Sequence, residues 1–360
     1  MIYKLITTNQ DLKQYCQSLL NAKHLSIDTE FIRTKTFYPH LGLLQLFDGE
    51  QVVLIDPLLI TDWNDFIALF LRSDREFYFH ACSEDLEVFQ YHFNLIPTPI
   101  LDSQILASFL DNPLSSGYAT LVNKYLNIEL DKSETRTDWL KRPLTSKQLH
   151  YAANDVYYLT PLIEKLKSLV FDKGWLNAAY SECEQMVKKK SVVVQPENAY
   201  LLIKNAWQLK GNELYCLKNL AEWRMMYAKE HDIALNFVIH EEVLWKLAKY
   251  QPRTFAEMSS LGLRGHEIRL FGEIIKEILT LPKQNIDPIK RVVNYTDYKY
   301  WSNLIRNVSE DISKETNLNK ELLISKRQID QFVRWKHNEI KDLPELLSGW
   351  RKELFENYLN

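Results

Sequence analysis

The stretch LSIDTEF, residues 25–31, constrains the fold of this chain more than any other. Leu25, Ile27 and Phe31 alternate at the period of a β-strand, with Thr29 keeping their row, so one apolar face turns into a core. Ser26, Asp28 and Glu30 then share the other face. Carboxylates at i and i+2 lie roughly 6.5–7 Å apart along a strand, close enough to repel unless something cationic stands between them. For one D-x-E alone, an edge strand with a solvated acidic face is the simpler reading. The positions of other acids decide between that and a cation site.

The first part of the chain alternates strand and helix signals. YKLIT reads as a short strand, and Thr8 with Asp11 has capping-box spacing at the start of a helix through Leu20. LSIDTEF, LGLLQLF and QVVLID read as three strands, the last two joined by the hairpin turn DGE. Trp63 to Arg72 reads as helical, EFYFH as a strand and Ser83 to Phe93 as a helix, and from Asp102 onward helical patterns dominate. These signals predict an α/β domain with a mixed sheet flanked by helices over residues 1–190. KKKSVVVQPENAY interrupts the pattern, and strand signals nearly vanish beyond it. Two all-α modules follow, at 205–290 and 291–360, separated by LPKQNIDPIKR with Pro282 and Pro288. Thr254 and Glu257 repeat the capping-box spacing.

With 46% hydrophobic and 25% charged residues, the composition is that of a soluble globular protein. No apolar run approaches the roughly 18 residues of a membrane span, and MIYKLITTNQ lacks the basic-then-apolar pattern of a secretion signal, so the expected location is cytoplasmic, with no membrane partner. Cys16, Cys82, Cys183 and Cys216 are scattered without C-x-x-C spacing, which predicts four free thiols and no zinc site. A net charge of −3 does not announce a nucleic-acid binder, although acids that hold cations can cancel a basic surface in the sum.

Two further segments place acids near helix starts or on helix faces. In HACSEDLEVF, Asp85 falls in the first turn of a helix with Ser83 as the expected N-cap. In TSKQLHYAANDVYYLTPL, Thr145 and Gln148 have capping-box spacing, and Pro161 limits the regular continuation of the helix. Tyr151 and Asp155 are i and i+4 there, on one face. Taken singly, each is ordinary capping or surface chemistry. Together they supply four carboxylates, a set that hard divalent cations accept and neutralise. Two such cations can activate water and stabilise the departing oxygen of a phosphodiester.

IDTEFIRTKTFYPHLGLLQL, HACSEDLEVF, LDSQILASF, KSETRTDWLKRPLT and YAANDVYYL occur in this order and span most of the first domain. With them the chain resembles the ribonuclease D family of DEDD exonucleases, and the helical remainder resembles helicase-and-ribonuclease-D C-terminal (HRDC) modules, the last one more divergent. The resemblance implies a ribonuclease H-like exonuclease fold and a two-metal centre using Mg2+ or Mn2+. In that centre Asp28 bridges both ions, Glu30 and Asp155 complete one ion's shell, and Asp85 supports the other. Tyr151 orients the attacking water. Cys82 stands where many relatives have Gly, at the backbone entry to the helix. His150 and Asp155 also satisfy the H-x4-D spacing of a sister subfamily. At about 100° per residue, however, i and i+5 diverge by roughly 140° while i and i+4 diverge by roughly 40°, which favours the tyrosine class.

The resemblance further implies a metal-dependent 3′–5′ exoribonuclease that releases nucleoside 5′-monophosphates and processes tRNA precursors and other structured RNAs. Its partner is RNA with a free 3′ end, and no obligate protein partner is evident. Lys132, Arg136 and Arg142 are expected at phosphates or, equally, in pairs with neighbours such as Glu134 or Asp138. Gln45, Phe37 and Tyr38 are candidates for a terminal base or sugar, with core packing the alternative for the aromatics. A DNA exonuclease of repair or proofreading type shares the same centre, and an RNA-binding scaffold with a degenerate site is the non-enzymatic alternative. The presence of all four acids and Tyr151 argues against the scaffold. All five residues precede residue 160, so the chemistry is confined to the first domain.

Overall fold

A computed structural model describes residues 2–71, 74–131, 134 and 137–359. The five expected strands and a sixth, short one that the sequence pattern does not announce form one mixed sheet in the order β1-β4-β3-β2-β5-β6. They are β1 (Tyr3–Ile6), β2 (His24–Ile32), β3 (His40–Phe47), β4 (Val52–Ile55), β5 (Glu76–Phe79) and β6 (Ile100–Asp102). β3 pairs antiparallel with β2 and β4, joined to β4 by the turn at Gly49, whose φ of +96° suits glycine. The pairs β1–β4, β2–β5 and β5–β6 are parallel.

The helices between and after these strands are α1 (Asn9–Ser18), α2 (Asn64–Ala68), α3 (Ser83–Phe93), α4 (Ser103–Ser108), α5 (Tyr118–Leu126), α6 (Ser146–Tyr157), α7 (Leu159–Asp172) and α8 (Leu176–Lys190). Thr8 caps α1 by accepting the Asp11 N–H, and Thr145 with Gln148 forms the full capping box of α6. Pro161 sits in the first turn of α7, where a missing N–H costs nothing.

The D-x-E strand is not at an edge. β2 lies between β3 and β5, and its apolar row, including Leu25 and Ile27, enters a core with Phe66, Phe77, Phe79 and Phe89. On the opposite face, α6 lays Ala152, Ala153 and Val156 over Leu43, Phe47 and Leu54. The acids of β2 therefore lie on the helix-covered face. α3 begins one residue away from the expected cap: Cys82 takes the N-cap position without a side-chain bond. Asp102 of β6 steadies the chain entering the helix, its carboxylate accepting the N–H groups of Ala81 and Cys82 at 3.1 and 2.9 Å.

The chain divides into two compact units. One contains residues 1–32, 40–191 and 292–360, so the last helical block shares a unit with the sheet. That block comprises α14 (Tyr298–Thr316), α15 (Lys320–Leu323), α16 (Lys326–Lys336) and α17 (Gly349–Leu359). Its Ile305, Phe332 and Phe355 belong to one continuous core with Phe109, Leu121, Leu162 and Ala179.

The second unit contains residues 33–39 and 192–291. Its helices are α9 (Gly211–Glu230), α10 (Leu235–Val238), α11 (Glu241–Tyr250), α12 (Phe255–Ser260) and α13 (Gly265–Leu279), around a core including Leu217, Leu220, Leu244, Leu247 and Ile275. Thr254 caps α12 by accepting the Glu257 N–H. Phe37 packs against this core, and the Tyr38 N–H donates to Asp232 at 2.9 Å. All four cysteines are free and buried, and no described helix is long and apolar enough to cross a membrane.

Candidate active site

β2 and β5 pair only through Ser26, so Asp28 and Glu30 extend past the carboxyl end of β5, where open α/β sheets place ligands. The register sets Asp28 opposite Gln45 and Glu30 opposite Leu43, with a bulge following Glu30. A hydrogen bond of 2.7 Å between the hydroxyls of Ser26 and Thr160 ties β2 to the start of α7. Across this opening, α6 presents Tyr151 and Asp155, whereas Asp85, in the first turn of α3, is not among the residues lining the cavity.

Asp28, Glu30 and Asp155 each offer a carboxylate oxygen, and these oxygens all lie within 4.8 Å of one another. They line a cavity of about 220 Å3 with Thr29, His80, Tyr118, Tyr151 and Leu159. Asp85 is more deeply buried and accepts a hydrogen bond from the Thr29 hydroxyl at 2.5 Å. The Tyr151 hydroxyl bonds Asp155, as the i,i+4 spacing requires. His150 is exposed and does not line this cavity; it lines a neighbouring groove with Tyr3, Ser146, Lys147 and the far side of Tyr151.

No Lys or Arg is among the described residues lining this cavity, and the acids register the lack. Burial is the main force raising Asp28 well above the ordinary carboxylate range, followed by the charges of Asp85, Asp155 and Glu30. Glu30 is raised in the same way, by burial and then by Asp155 and Asp85. Burial pushes Asp85 up to about 7 against the lowering bond from Thr29, and Asp155 up to about 7 against the bond from Tyr151. Oxygen donors crowded together without a counter-charge fit a hard divalent cation.

A pH dependence follows for the protein stripped of metal. Asp85 and Asp155 titrate near 7 when folded, against about 3.9 in an unfolded chain. Between about pH 5 and 7 the folded state keeps protons that the unfolded chain has already released. Stability in chelator is therefore expected to fall as pH rises through this window, with Asp28 and Glu30, raised in the same direction, adding to the fall. Thermal melts at several pH values check the sign, and saturating Mg2+ should remove the slope. A melting temperature that climbs with pH in chelator would contradict the uncompensated cluster.

The expected RNA contacts fare differently. Gln45 is fully buried on the helix-covered face opposite Asp28, with neither amide atom paired among the described residues. Arg142 is committed to the fold. Its guanidinium bonds both Asp56 carboxylate oxygens at 2.6 and 2.7 Å, and also donates to the carbonyls of Gly42, Trp139 and Lys141. Its partner is thus Asp56 rather than Glu134 or Asp138. Gly42 leaves room for this clamp, because a Cβ there would lie 2.6 Å from the Trp139 carbonyl oxygen. Lys132 and Arg136 lie outside the described residues. Sequence reasoning passed over His80 and Tyr118, which meet the acids only through the tertiary fold. The sole local hint was the position of His80 at the end of a strand leading into HACSEDLEVF.

An acid-lined crevice at the ends of parallel strands, with a tyrosine beside the last acid, defines a DEDD-type 3′–5′ exonuclease. Comparisons with known proteins carry the assignment further. The model of the 3′-5′ exonuclease family matches residues 3–170, the HRDC domain matches 213–279, and the ribonuclease D C-terminal HRDC domain matches 296–359. The chain is 45% identical to ribonuclease D of Escherichia coli, covering 100% of this chain and 98% of that protein. It is 46% identical to ribonuclease D of Serratia proteamaculans, covering 98% and 97%. The crystal structure of Escherichia coli RNase D, described as an exoribonuclease involved in structured RNA processing, superposes with a TM-score of 0.96 at 44% identity, over 100% of this chain and 98% of that one. A protein from Bifidobacterium adolescentis shares the fold at a TM-score of 0.74 and 20% identity, over 99% of this chain and 95% of that one. The chain belongs to the ribonuclease D family and is a metal-dependent 3′–5′ exoribonuclease.

Proposed function

We propose that this enzyme releases nucleoside 5′-monophosphates one at a time from the 3′ ends of tRNA precursors and other structured RNAs. It works in the cytoplasm, where such precursors occur, and uses two divalent cations, Mg2+ or Mn2+. The observation that carries the reading is the meeting of Asp28, Glu30 and Asp155 within 4.8 Å in a cavity whose described lining has no cationic side chain. The processing role is supported by the likeness to the Escherichia coli enzyme.

Asp28, Glu30 and Asp155 would hold the cations, with Asp85 close behind them. When bound, the cations supply the positive charge that acidifies the attacking water and offsets charge gathering on the phosphate. Tyr151, already bonded to Asp155, orients that water through its hydroxyl. Thr29 fixes the Asp85 carboxylate, so its oxygens need no reorganisation when substrate enters. Incubation with matched 3′-labelled RNA and DNA, with and without Mg2+, tests the reading. Stepwise metal-dependent loss of 5′-mononucleotides from RNA is expected, and an intact 3′ end under every condition sinks it.

The division of labour on α6 gives a second prediction. Tyr151→Phe removes the hydroxyl but keeps the ring against Trp139, so kcat should fall by about 10–100-fold with KM little changed. His150→Ala should leave both constants within about twofold, since an exposed side chain outside the cavity touches neither water nor acid. Single-turnover kinetics checks the ranking, and its reversal would move the enzyme to the histidine class.

A further inference from the structure

The acids occupy one side of the catalytic cavity, and the remaining lining is neutral: Thr29, His80, Tyr118, Tyr151 and Leu159. Resting on the exonuclease reading, the phosphate of the departing nucleotide belongs on the acid side with its cations, so the nucleoside must lie against the neutral wall. That wall has few unused polar atoms. The Thr29 hydroxyl is spent on Asp85, the Tyr118 hydroxyl donates to the Asn154 carbonyl at 3.2 Å, and the Tyr151 hydroxyl bonds Asp155. Leu159 offers only apolar surface.

His80 is different. Its Nδ1 lies 2.8 Å from the Ser103 hydroxyl, which fixes the ring, and its face is tilted against Tyr118 at 5.3 Å. The ring lines the cavity, and with Nδ1 held by Ser103 its Nε2 is the nitrogen left without a hydrogen-bond partner among the described residues. We propose that His80 is a specificity-determining residue whose Nε2 hydrogen-bonds a sugar hydroxyl of the 3′-terminal nucleotide. A hydroxyl suits this atom whichever way the Ser103 bond runs. If Nδ1 donates to Ser103, Nε2 is a bare acceptor; if Ser103 donates, Nε2 carries the proton, and a hydroxyl answers both. Burial also holds the imidazole below its ordinary range although Asp102 pulls it up, so at neutral pH the ring is uncharged and is no clamp for phosphate.

The test uses the full chain with Mg2+ and three RNAs that differ only in the last nucleotide: ribose, 2′-deoxyribose or 3′-deoxyribose. Two variants separate recognition from architecture. His80→Asn keeps an amide atom near Nδ1 for Ser103 but nothing at Nε2, whereas His80→Gln can place its amide near Nε2. Wild type should prefer the ends that carry the hydroxyl being read, and the two analogues say whether it is the 2′ or the 3′ group. His80→Asn should lose about 10–100-fold in kcat/KM on those ends and little on the end lacking that hydroxyl, and His80→Gln should recover part of the loss. Cooperative melts of both variants exclude misfolding as the cause. Equal losses on all three ends, or a wild type indifferent to both hydroxyls, would overturn the assignment. A wild type inactive on all three with either Mg2+ or Mn2+ would instead sink the exonuclease reading itself.

Discussion

Asp28→Asn is expected to lower turnover by on the order of 10³-fold or more, while the folded, metal-free variant melts higher than the wild type. The two effects share one cause. Asp28 is the acid most surrounded by others, raised first by burial and then by Asp85, Asp155 and Glu30. An amide of nearly the same shape removes that repulsion and also the oxygen charge proposed to help hold the cations. Replacing a group that merely supports a metal ligand typically costs 10–100-fold, so replacing a residue that would itself be a ligand should cost more. The Mg2+-dependent rise in melting temperature should shrink in parallel, because a ligand stabilises only in proportion to its affinity for the folded state. Asp155→Asn should behave similarly, with the Tyr151 hydroxyl now donating to a neutral amide oxygen in place of a carboxylate. Near-normal cleavage by a correctly folded Asp28→Asn enzyme would remove the cation site from this cavity.

What the sequence made legible is local. Alternation in LSIDTEF, the hairpin before QVVLID, the Thr145–Gln148 capping box and the Tyr151–Asp155 spacing each depend on residues within a few positions, and each stands in the structure. What it hid depends on contacts far along the chain. The choice between an edge and a central strand for β2 rests on β5 pairing beside it. Arg142 was expected at a phosphate or beside a near neighbour because its actual partner, Asp56, lies 86 residues earlier. Gln45 looked available because the cover over its strand comes from Ala152 and Ala153 of α6. Ser83 falls inside the helix because Cys82 takes the N-cap position, in a turn held by Asp102 from 20 residues away. His80 and Tyr118 reach the acids only after the sheet and helices close.

The same distinction bears on the last helical block, where deletion should do far more than weaken a grip on RNA. A chain ending at Arg291 keeps all five proposed catalytic residues yet is expected to lose cooperative folding. Residues 292–360 share one core with the sheet's helices, and Trp350 packs its ring against Phe109 at 5.5 Å and Trp175 at 6.0 Å. The Trp350 indole N–H and the Arg351 guanidinium both donate to the Glu182 carboxylate of α8. Arg351 is 2% exposed and also donates to the carbonyls of Leu322 and Leu323 at 2.7 and 3.0 Å. Burying a large apolar side chain contributes about 1.5–3 kcal/mol, so stripping cover from a few of them consumes most of the roughly 5–15 kcal/mol that holds a domain together. Arg351→Ala isolates the polar part of this junction. It leaves Glu182 and two carbonyls short of a donor, and should cost about 3–5 kcal/mol in urea unfolding. The double variant Glu182→Gln with Arg351→Met should recover a large share of that loss, because no unpaired charge then remains. A truncated chain that melts cooperatively and trims a short oligonucleotide at the full-length rate would show that the block is an appendage. Loss of the cooperative melt, with Arg351→Ala destabilised in the same direction, would make it part of the catalytic unit's own core.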